Sequence, residues 1–262
     1  MRLRKIKLFL IGTILLLCVT PYSHGQKPVS GFPSGFGRVF VFTAKELGIP
    51  ILKASIKIEN SSSSEQGKPL YQIQANIDSL PQIGFFFRMN NRFTSLMEAE
   101  TFLPHRYVKE VRQEGLLIGK KNYLQTFIFD YLNKKVVSER SNQKEKQEIS
   151  IPPDTCDPLS MFARCYLKEE LHPEKDIRMS IYDGVKLRQM VFHPKKEKVK
   201  SKIYGEVETV CLESTTSFST FGDKEGIIRI WYLTNGERTP MSIELELPIG
   251  TIKFDLESIH RS

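Results

Sequence analysis

Apolar and polar residues alternate along most of the chain after residue 36. The alternation is cleanest in Lys53–Ile58, Leu70–Ile77 and Met241–Leu247. Successive side chains of a β-strand point to opposite faces, so this period of two predicts strands with one apolar and one polar face. Antiparallel sheets with one wet side show this pattern. The chain is therefore predicted to be mainly β, an antiparallel half-barrel or barrel.

Turn signals separate several of these strands. Asp183–Gly184 and Asn235–Gly236 each lie between two alternating segments. Both dipeptides favour the type I′ turn of a tight hairpin, because Gly and Asn adopt positive φ at low cost. The polar stretches near 61–67 and 139–150 are predicted to be exposed loops. The second stretch can mark a boundary between two halves, although no composition shift separates two domains.

One segment has helical periodicity instead. Asp157 is a good N-cap and Pro158 suits the first helical position. The apolar residues that follow keep the spacing of one helical face: Leu159, Phe162, Ala163, Tyr166 and Leu167. The pattern predicts one packing helix, about 157–170, against or inside the curved sheet.

The first 25 residues have the layout of a secretory signal peptide. Four basic residues precede a mostly apolar run, Leu8–Val19, and a short polar segment ends at Gly25. Cleavage near Gly25–Gln26 would leave residues 26–262 as a single β-rich domain, exported to the periplasm or cell envelope. A retained anchor is disfavoured, since a helix needs about 20 apolar residues to cross the hydrocarbon. Lipidation at Cys18 is disfavoured because Leu17 stands where a small residue is needed.

The basic character of the chain is local. The formal charge is +8, and four of the basic residues lie in the predicted signal peptide, so +4 remains after cleavage. Pro194–Lys202 alone contains five lysines and one glutamate. A basic surface for nucleic acid is therefore not expected. The segment is interpreted as a solvated loop or strand edge. Alternatively, it holds an anionic headgroup through Lys195, Lys196, Lys198 and Lys200.

Several short motifs, taken in order, resemble one bacterial exported family. They are Leu47-Gly48-Ile49-Pro50, Tyr71-Gln72-Ile73-Gln74-Ala75, Asp157-Pro158-Leu159-Ser160, Asp183-Gly184-Val185-Lys186, Ile230-Trp231-Tyr232-Leu233 and Arg238-Thr239-Pro240-Met241-Ser242-Ile243. With the early strand before Leu47 and with Gly250, the resemblance extends over about residues 36 to 256. The family is domain of unknown function 3108. This resemblance implies export and a β-rich fold but no reaction.

Catalytic and metal motifs are missing from the sequence. The four histidines after residue 25 have no partner at metal-ligand spacing. Gly115–Lys121 has three residues between its glycines and no Ser or Thr after the lysine, so it is not a phosphate-binding loop. Asp157 and Ser160 are explained as a helix cap. No catalytic residue, metal or cofactor is predicted.

Three cysteines remain after the predicted cleavage site: Cys156, Cys165 and Cys211. In an oxidising compartment these can form one disulfide and leave one spare thiol. Nine largely helical residues separate Cys156 from Cys165, which places their Cα atoms roughly 12–13 Å apart, beyond the ~7 Å limit. Cys211, in a strand, can instead pair with either Cys156 or Cys165.

Two classes of function are compatible with these observations. A half-barrel can hold an apolar ligand in its concave face, and the aromatics expected there are Phe85, Phe87, Phe127, Phe129 and Trp231. The first hypothesis is a non-enzymatic envelope protein that binds lipid, lipoprotein or glycan, or that scaffolds an assembly. Ordinary core is nevertheless the favoured interpretation of the same aromatics. The alternative is a hydrolase or transferase acting on envelope polymers. A membrane-spanning barrel is disfavoured, because several strands are short and one Trp cannot form a girdle.

Overall fold

The computed structural model describes residues 36–65, 68–115, 119–218, 224–247 and 250–261, which form one compact unit. The signal peptide predicted for residues 1–25 lies outside the described residues. Strand accounts for 69% of the structure, with one helix of ten residues. The predicted mainly β class is confirmed.

Fourteen strands make up the sheet. The first eight are β1 (Arg38–Glu46), β2 (Ile49–Glu65), β3 (Lys68–Ser79), β4 (Phe87–Glu98), β5 (Pro104–Gly115), β6 (Gly119–Asp130), β7 (Lys135–Arg140) and β8 (Gln147–Ser150). The helix α1 (Pro158–Leu167) follows, and then β9 (Ile177–Tyr182), β10 (Leu187–Ser201), β11 (Gly205–Phe218), β12 (Lys224–Leu233), β13 (Pro240–Leu247) and β14 (Gly250–Arg261).

The sheet is a meander whose two halves are joined at its centre. Its order is β8-β7-β6-β5-β4-β3-β2-β1-β14-β13-β12-β11-β10-β9. Every pair of neighbours is antiparallel, and only β1 and β14 are paired without being consecutive in the chain. The sheet is not closed: β8 and β9 are its two edges, and α1 is part of the segment that connects them.

A capping box starts α1 where the sequence predicts it. The side chain of Asp157 accepts hydrogen bonds from the backbone N–H groups of Leu159 (2.7 Å) and Ser160 (3.1 Å), and Ser160 Oγ accepts one from the N–H of Asp157. A third donor, Ser95 Oγ on β4, lies 2.6 Å from the same carboxylate. The cap therefore also ties the helix to the sheet. The helix ends at Leu167, earlier than the predicted 170.

The sheet curves around α1. Tyr166 packs edge-on to Phe40 of β1 at 5.6 Å between ring centroids and stacks with Tyr232 of β12 at 6.2 Å, while Asp157 bonds to Ser95 of β4. Six inter-strand steps separate β4 from β12, about 29 Å along a flat sheet. Seven of the ten helix residues are also buried. A helix that contacts strands this far apart and is buried on nearly all its sides is enclosed by a curved sheet.

The concave face of the sheet is the apolar one. The side chains of Phe40, Phe42, Ile58 and Ile73 are fully buried there, because alternate residues of each strand point toward α1. The helix is buried on nearly all sides, including Ser160, Met161 and Cys165 outside the predicted stripe. This is expected of a helix that lies inside a curved sheet.

Several predicted loops and turns differ from the structure. β2 continues through Glu65, so residues 61–65 are strand, and 147–150 of the second predicted loop form β8. The Asp183–Gly184 and Asn235–Gly236 turns are not type I′, since only Gly184 (φ 92°) and, after the second dipeptide, Arg238 (φ 47°) have positive φ. Both dipeptides lie in loops longer than two residues. The two-residue hairpin with two positive φ values is Leu47–Gly48 (49° and 81°).

Candidate functional site

The aromatics predicted to bind a guest on the concave face are largely core. Phe127 is fully buried, stacked on Tyr107 at 5.6 Å and edge-on to Tyr182 at 5.8 Å. Phe129 is buried and stacked with Tyr131 at 6.2 Å. These rings are satisfied by neighbours within the chain, so they belong to the packing of the domain.

The other three predicted aromatics lie in different places. Phe85 is 82% exposed in the connection from β3 to β4, outside the concave face where it was expected. Phe87, at the start of β4, is half-buried at the edge of the core. Trp231 is buried, but it points away from α1: it neighbours Tyr232, which faces the helix, and successive strand residues point to opposite faces.

Trp231 lies instead in a cleft on the outward face of the sheet, which we call the Trp231 cleft. Its volume is about 400 Å³. It lies between the end of β10 and the outward side chains of β12, β13, β14 and β1. It is lined by Thr43, Lys45, Glu197, Lys198, Val199, Lys200, Ser201, Lys202, Trp231, Met241, Ser242, Lys253, Asp255, Leu256 and Glu257.

Strand register explains how distant residues meet in this cleft. Trp231 pairs with Ser242, Ser242 with Asp255, and Asp255 with Thr43, so one row of outward side chains crosses β12, β13, β14 and β1. On the other side of Trp231 lies Cys211 of β11. The β10–β11 ladder extends to Ser201–Gly205, whereas β11 pairs with β12 only from Thr209 onward. The end of this hairpin is therefore free of the main sheet and can form a wall of the cleft.

Each carboxylate of the cleft already accepts a hydrogen bond from a neighbouring side chain. Trp231 Nε1 donates to Glu197 Oε2 at 2.8 Å, and Ser242 Oγ donates to Asp255 Oδ1 at 2.7 Å. The hydroxyl of Thr43 donates to Glu257. These bonds fix the floor of the cleft and use part of the acceptor capacity of all three acids.

The lysines of the cleft are not neutralised in the same way. Among the described residues no salt bridge joins a carboxylate to Lys45, Lys198, Lys200 or Lys202. The ammonium groups of Lys45 and Lys202 contact each other, and this contact lowers the pKa of Lys45. Glu257 and Asp255 act in the opposite direction on the pKa of Lys45, but the contact with Lys202 is the larger effect. A bound anion would reduce the repulsion between these two ammonium groups.

A fifth lysine contacts the indole. Lys253 Nζ lies 4.8 Å from the centroid of the Trp231 ring, within the range of a cation–π interaction. Five lysines and three carboxylates line the cleft, which leaves a formal charge of +2. The site is thus a polar, net-positive cleft with one aromatic wall.

The lysines proposed from the sequence divide into two groups. Lys198 and Lys200 line the cleft. Lys195 is instead held by Glu213 at 2.7 Å, and Lys196 is exposed outside the cleft. Lys45 and Lys253 were missed, because they come from β1 and β14 and nothing in their local sequence marks them. The run of lysines in the sequence indicates the β10 side of the cleft. Lys45 and Lys253, on the opposite side, are brought to it only by the register of the strands.

The structure does not contain the disulfide that the sequence allows: Cys156, Cys165 and Cys211 are three buried free thiols. Cys211 pairs in register with Trp231 and lies on the outward face, whereas Cys165 is on α1. The sheet therefore stands between Cys211 and the helix. Burial raises the pKa of Cys156 to about 11 and that of Cys211 to about 12, so neither thiol is activated as a nucleophile.

Within the described residues no group of three or more His, Cys, Asp and Glu side chains could hold a metal ion. In the same part of the chain, no helix has the length and apolar character needed to cross a membrane.

Comparison with known proteins gives one family and several similar structures, two of which follow. The sequence matches the family described as "Protein of unknown function (DUF3108)" over residues 39–257. A crystal structure of a "Beta-barrel-like Protein of Domain of Unknown Function DUF1849" from Brucella abortus superposes with a TM-score of 0.54 at 11% identity, over 86% of this chain and 97% of that one. A hypothetical protein from Chlamydia trachomatis reaches a TM-score of 0.37 at 12% identity, over 86% and 87%. No curated protein matches the sequence. The first likeness supports the fold alone.

Proposed function

The chain belongs to the DUF3108 family of proteins of unknown function, and from this premise we propose that it is an exported, non-enzymatic binding protein of the cell envelope whose ligand is anionic. The ligand site is the Trp231 cleft. The observation that carries the proposal is the imbalance of partners in that cleft: its acids accept hydrogen bonds from neighbouring side chains, while four of its lysines have no carboxylate partner.

The same imbalance indicates the class of ligand. Lysine ammonium groups bind phosphate and carboxylate as point charges. The indole ring of Trp231 adds a flat apolar contact at the floor. A phosphorylated or carboxylated envelope component fits this combination, whether it is a lipid headgroup, the headgroup of a lipoprotein or an acidic glycan.

Binding is favoured over catalysis by the arrangement of the acids. The alternative, a hydrolase or transferase, needs one carboxylate free to act as an acid and another free to act as a base or nucleophile. In the cleft, Glu197, Asp255 and Glu257 are each engaged by a neighbouring donor. These bonds suit a fixed binding floor.

The chain offers a direct binding assay, because Trp231 is its only tryptophan. Fluorescence excited at a wavelength that tryptophan absorbs and tyrosine does not therefore reports on this cleft alone. We would titrate the protein with dihexanoyl phosphatidylglycerol below its micellar concentration and, separately, with polygalacturonate oligomers. Dihexanoyl phosphatidylcholine and neutral dextran oligomers are the uncharged controls. Saturable quenching or a spectral shift with one anionic probe identifies the source of the anion.

Two double variants of one strand test the location of the site. Lys198→Gln/Lys200→Gln should weaken binding roughly five- to thirty-fold, since each exposed charge contact is worth about 0.5–1 kcal/mol. Lys195→Gln/Lys196→Gln removes the same charge from the same strand outside the cleft and should have little effect. If both double variants lost affinity equally, the probe would be held by general attraction to the basic segment and not by the cleft. Absence of saturable binding to either anionic probe would reject the proposed ligand class.

Export is tested separately. The protein recovered from the cell should begin near Gln26 by mass spectrometry and fractionate with the envelope. Recovery of the uncleaved chain from the cytoplasm would contradict this part of the proposal and leave the cleft unaffected.

A further inference from the structure

Two neighbouring turns at one end of the sheet expose large apolar side chains. In an antiparallel meander, alternate turns lie at the same end, so the β1–β2 and β3–β4 connections share an end. The backbone N–H of Leu80, in the β3–β4 connection, donates to the carbonyl of Ile51 near the start of β2 at 2.8 Å, which places this connection beside the β1–β2 turn. We call Leu47, Ile49, Phe85 and Phe86 the apolar rim.

The rim residues are largely in solvent. Leu47 is 94% exposed, Phe85 82%, Phe86 64% and Ile49 56%. The rings of Phe85 and Phe86 pack edge-on to each other at 5.3 Å. Single exposed apolar residues are common, but four of them at two neighbouring turns indicate a surface that contacts another molecule.

Leu47 is also in an unfavourable backbone conformation. Its φ is 49°, in the left-handed region, where a bulky residue costs roughly 1–2 kcal/mol and Asn or Gly costs much less. An exposure of 94% leaves its side chain almost no packing within the chain to offset this cost. The fold therefore gives no reason for a leucine at this position, whereas a contact with another molecule does.

Basic residues stand directly behind the rim. A depression of about 210 Å³ between β4, β5 and β6 is lined by Arg88, Arg112, Lys120 and Lys121 together with one acid, Glu114. Arg112 is paired with Glu110. Among the described residues Arg88, Lys120 and Lys121 have no salt bridge. Arg88 Nε donates to the carbonyl of Gly84 at 3.1 Å, which fixes the guanidinium beside the Phe85–Phe86 turn.

We propose that this end of the protein binds the surface of a bilayer containing anionic phospholipid. Phe85, Phe86 and Leu47 enter the boundary between headgroups and acyl chains, and Arg88, Lys120 and Lys121 contact lipid phosphates. Apolar residues at the apex with basic residues behind them match the order of layers at a membrane surface, where aromatic rings are favoured at the interface. Glu114 pairs in register with both Arg88 and Lys120, and this single acid of the depression is outnumbered by the three cations that have no salt bridge among the described residues. The proposal is independent of the Trp231 cleft.

Vesicle flotation tests this docking surface. The protein is used after residues 1–25 have been removed, by the cell or at a protease site placed after Gly25, since every described element begins at Arg38 or later. Binding is measured to vesicles of phosphatidylcholine alone and of phosphatidylcholine with 30% phosphatidylglycerol, at low and high salt. The wild type should float with the anionic vesicles and less so at high salt.

Matched variants separate docking from folding. Leu47→Asn relieves the backbone strain, so it should fold at least as well as the wild type and yet bind several-fold more weakly. Leu132→Asn makes the same change at a residue that is 93% exposed in a turn at the opposite end of the sheet, and it should bind vesicles as the wild type does.

The other two variants test the aromatic and the basic parts of the surface. Phe85→Ser/Phe86→Ser should bind the vesicles at least about tenfold more weakly than the wild type. Lys120→Gln/Lys121→Gln should weaken binding to the anionic vesicles about fivefold for each charge removed, and it should not change binding to the neutral vesicles.

Two results would overturn the proposal. One is a wild type that binds neither vesicle at low salt; if it then elutes as a dimer that Phe85→Ser/Phe86→Ser converts to monomer, the rim is a contact between copies of the chain. The other is vesicle binding that Leu47→Asn and Phe85→Ser/Phe86→Ser leave unchanged.

Discussion

Gly184 meets two constraints at once. Its φ is 92°, and a Cβ at this position would lie 2.5 Å from the ring of Phe127. Gly205 has the first constraint without the second, since its φ is 72° and a Cβ there would meet nothing within 4 Å. The two glycines therefore separate backbone strain from close packing.

We expect Gly184→Ala to destabilise the protein more than Gly205→Ala. Backbone strain costs about 1–2 kcal/mol at either site. Displacing the buried Phe127 ring should add about 1–3 kcal/mol at Gly184 only. Urea unfolding of both variants measures the difference, and equal losses would show that the β9–β10 turn does not press on Phe127.

Asp157 gives a pH dependence with a defined sign. Burial raises the pKa of this carboxyl from 3.8 to about 6, although hydrogen bonds from Ser95, Ser160 and Leu159 act to lower it. Between about pH 4 and pH 6 the folded state therefore holds a proton that the unfolded state has lost. Stability from this group is present at low pH and is lost as the pH rises through 6.

Asp157→Asn removes the titration but keeps an N-cap acceptor. The free energy of unfolding of the wild type, measured relative to this variant, should fall by about 2–3 kcal/mol from pH 4 to pH 7. Urea titrations at four pH values provide the measurement. A constant difference, or one that grows with pH, would contradict the burial argument.

At the level of elements, local signals predicted the helix better than the turns. Asp157 and Pro158 define the start of α1 through contacts within four residues, so the sequence contains all that is needed. The tight turn at Leu47–Gly48 was missed, because the usual signal places Asn or Asp before Gly, and Leu47 is held in positive φ by the pairing of β1 with β2. Asn235–Gly236 was misassigned because the loop is longer and Arg238 takes the positive φ.

The cleft could be predicted only in part for a related reason. The lysines of β10 are adjacent in sequence, and their charge is visible there. Lys45, Trp231 and Lys253 come together through pairing across β12, β13, β14 and β1, and the β1–β14 contact joins the two ends of the domain. Alternation predicts which face a residue occupies, but it carries no information on which strands become neighbours.

The position of α1 inside the sheet predicts unequal costs for identical substitutions. Leu159 is buried, whereas Leu167 is half-buried near the helix end. Leu159→Ala should cost about 2–4 kcal/mol and Leu167→Ala roughly half as much. Chemical denaturation compares them. Similar small losses in both would indicate that the helix rests on the sheet and is not enclosed by it.

On the scale of the whole molecule, the concave face forms the core, and we assign ligand binding to the outward surfaces. The chain fills its own concavity with α1, Phe127 and Tyr182, so the face that would hold an apolar guest is the core. The unpaired lysines, the single tryptophan and the exposed apolar rim all lie elsewhere. We therefore attribute binding to outward surfaces that strand register and turn placement create.

Nuclear magnetic resonance of the ¹⁵N-labelled protein tests this division most directly. The indole N–H of Trp231 gives a single signal, because the chain has one tryptophan, and the amides of Leu159–Tyr166 report on the concave face. During titration with the anionic probe that quenches Trp231, the indole signal and the amides of Lys198 and Lys200 should shift together while the helix amides stay fixed. Shifts concentrated in Leu159–Tyr166, with an unmoved indole signal, would place the ligand in the concave face and contradict the outward site.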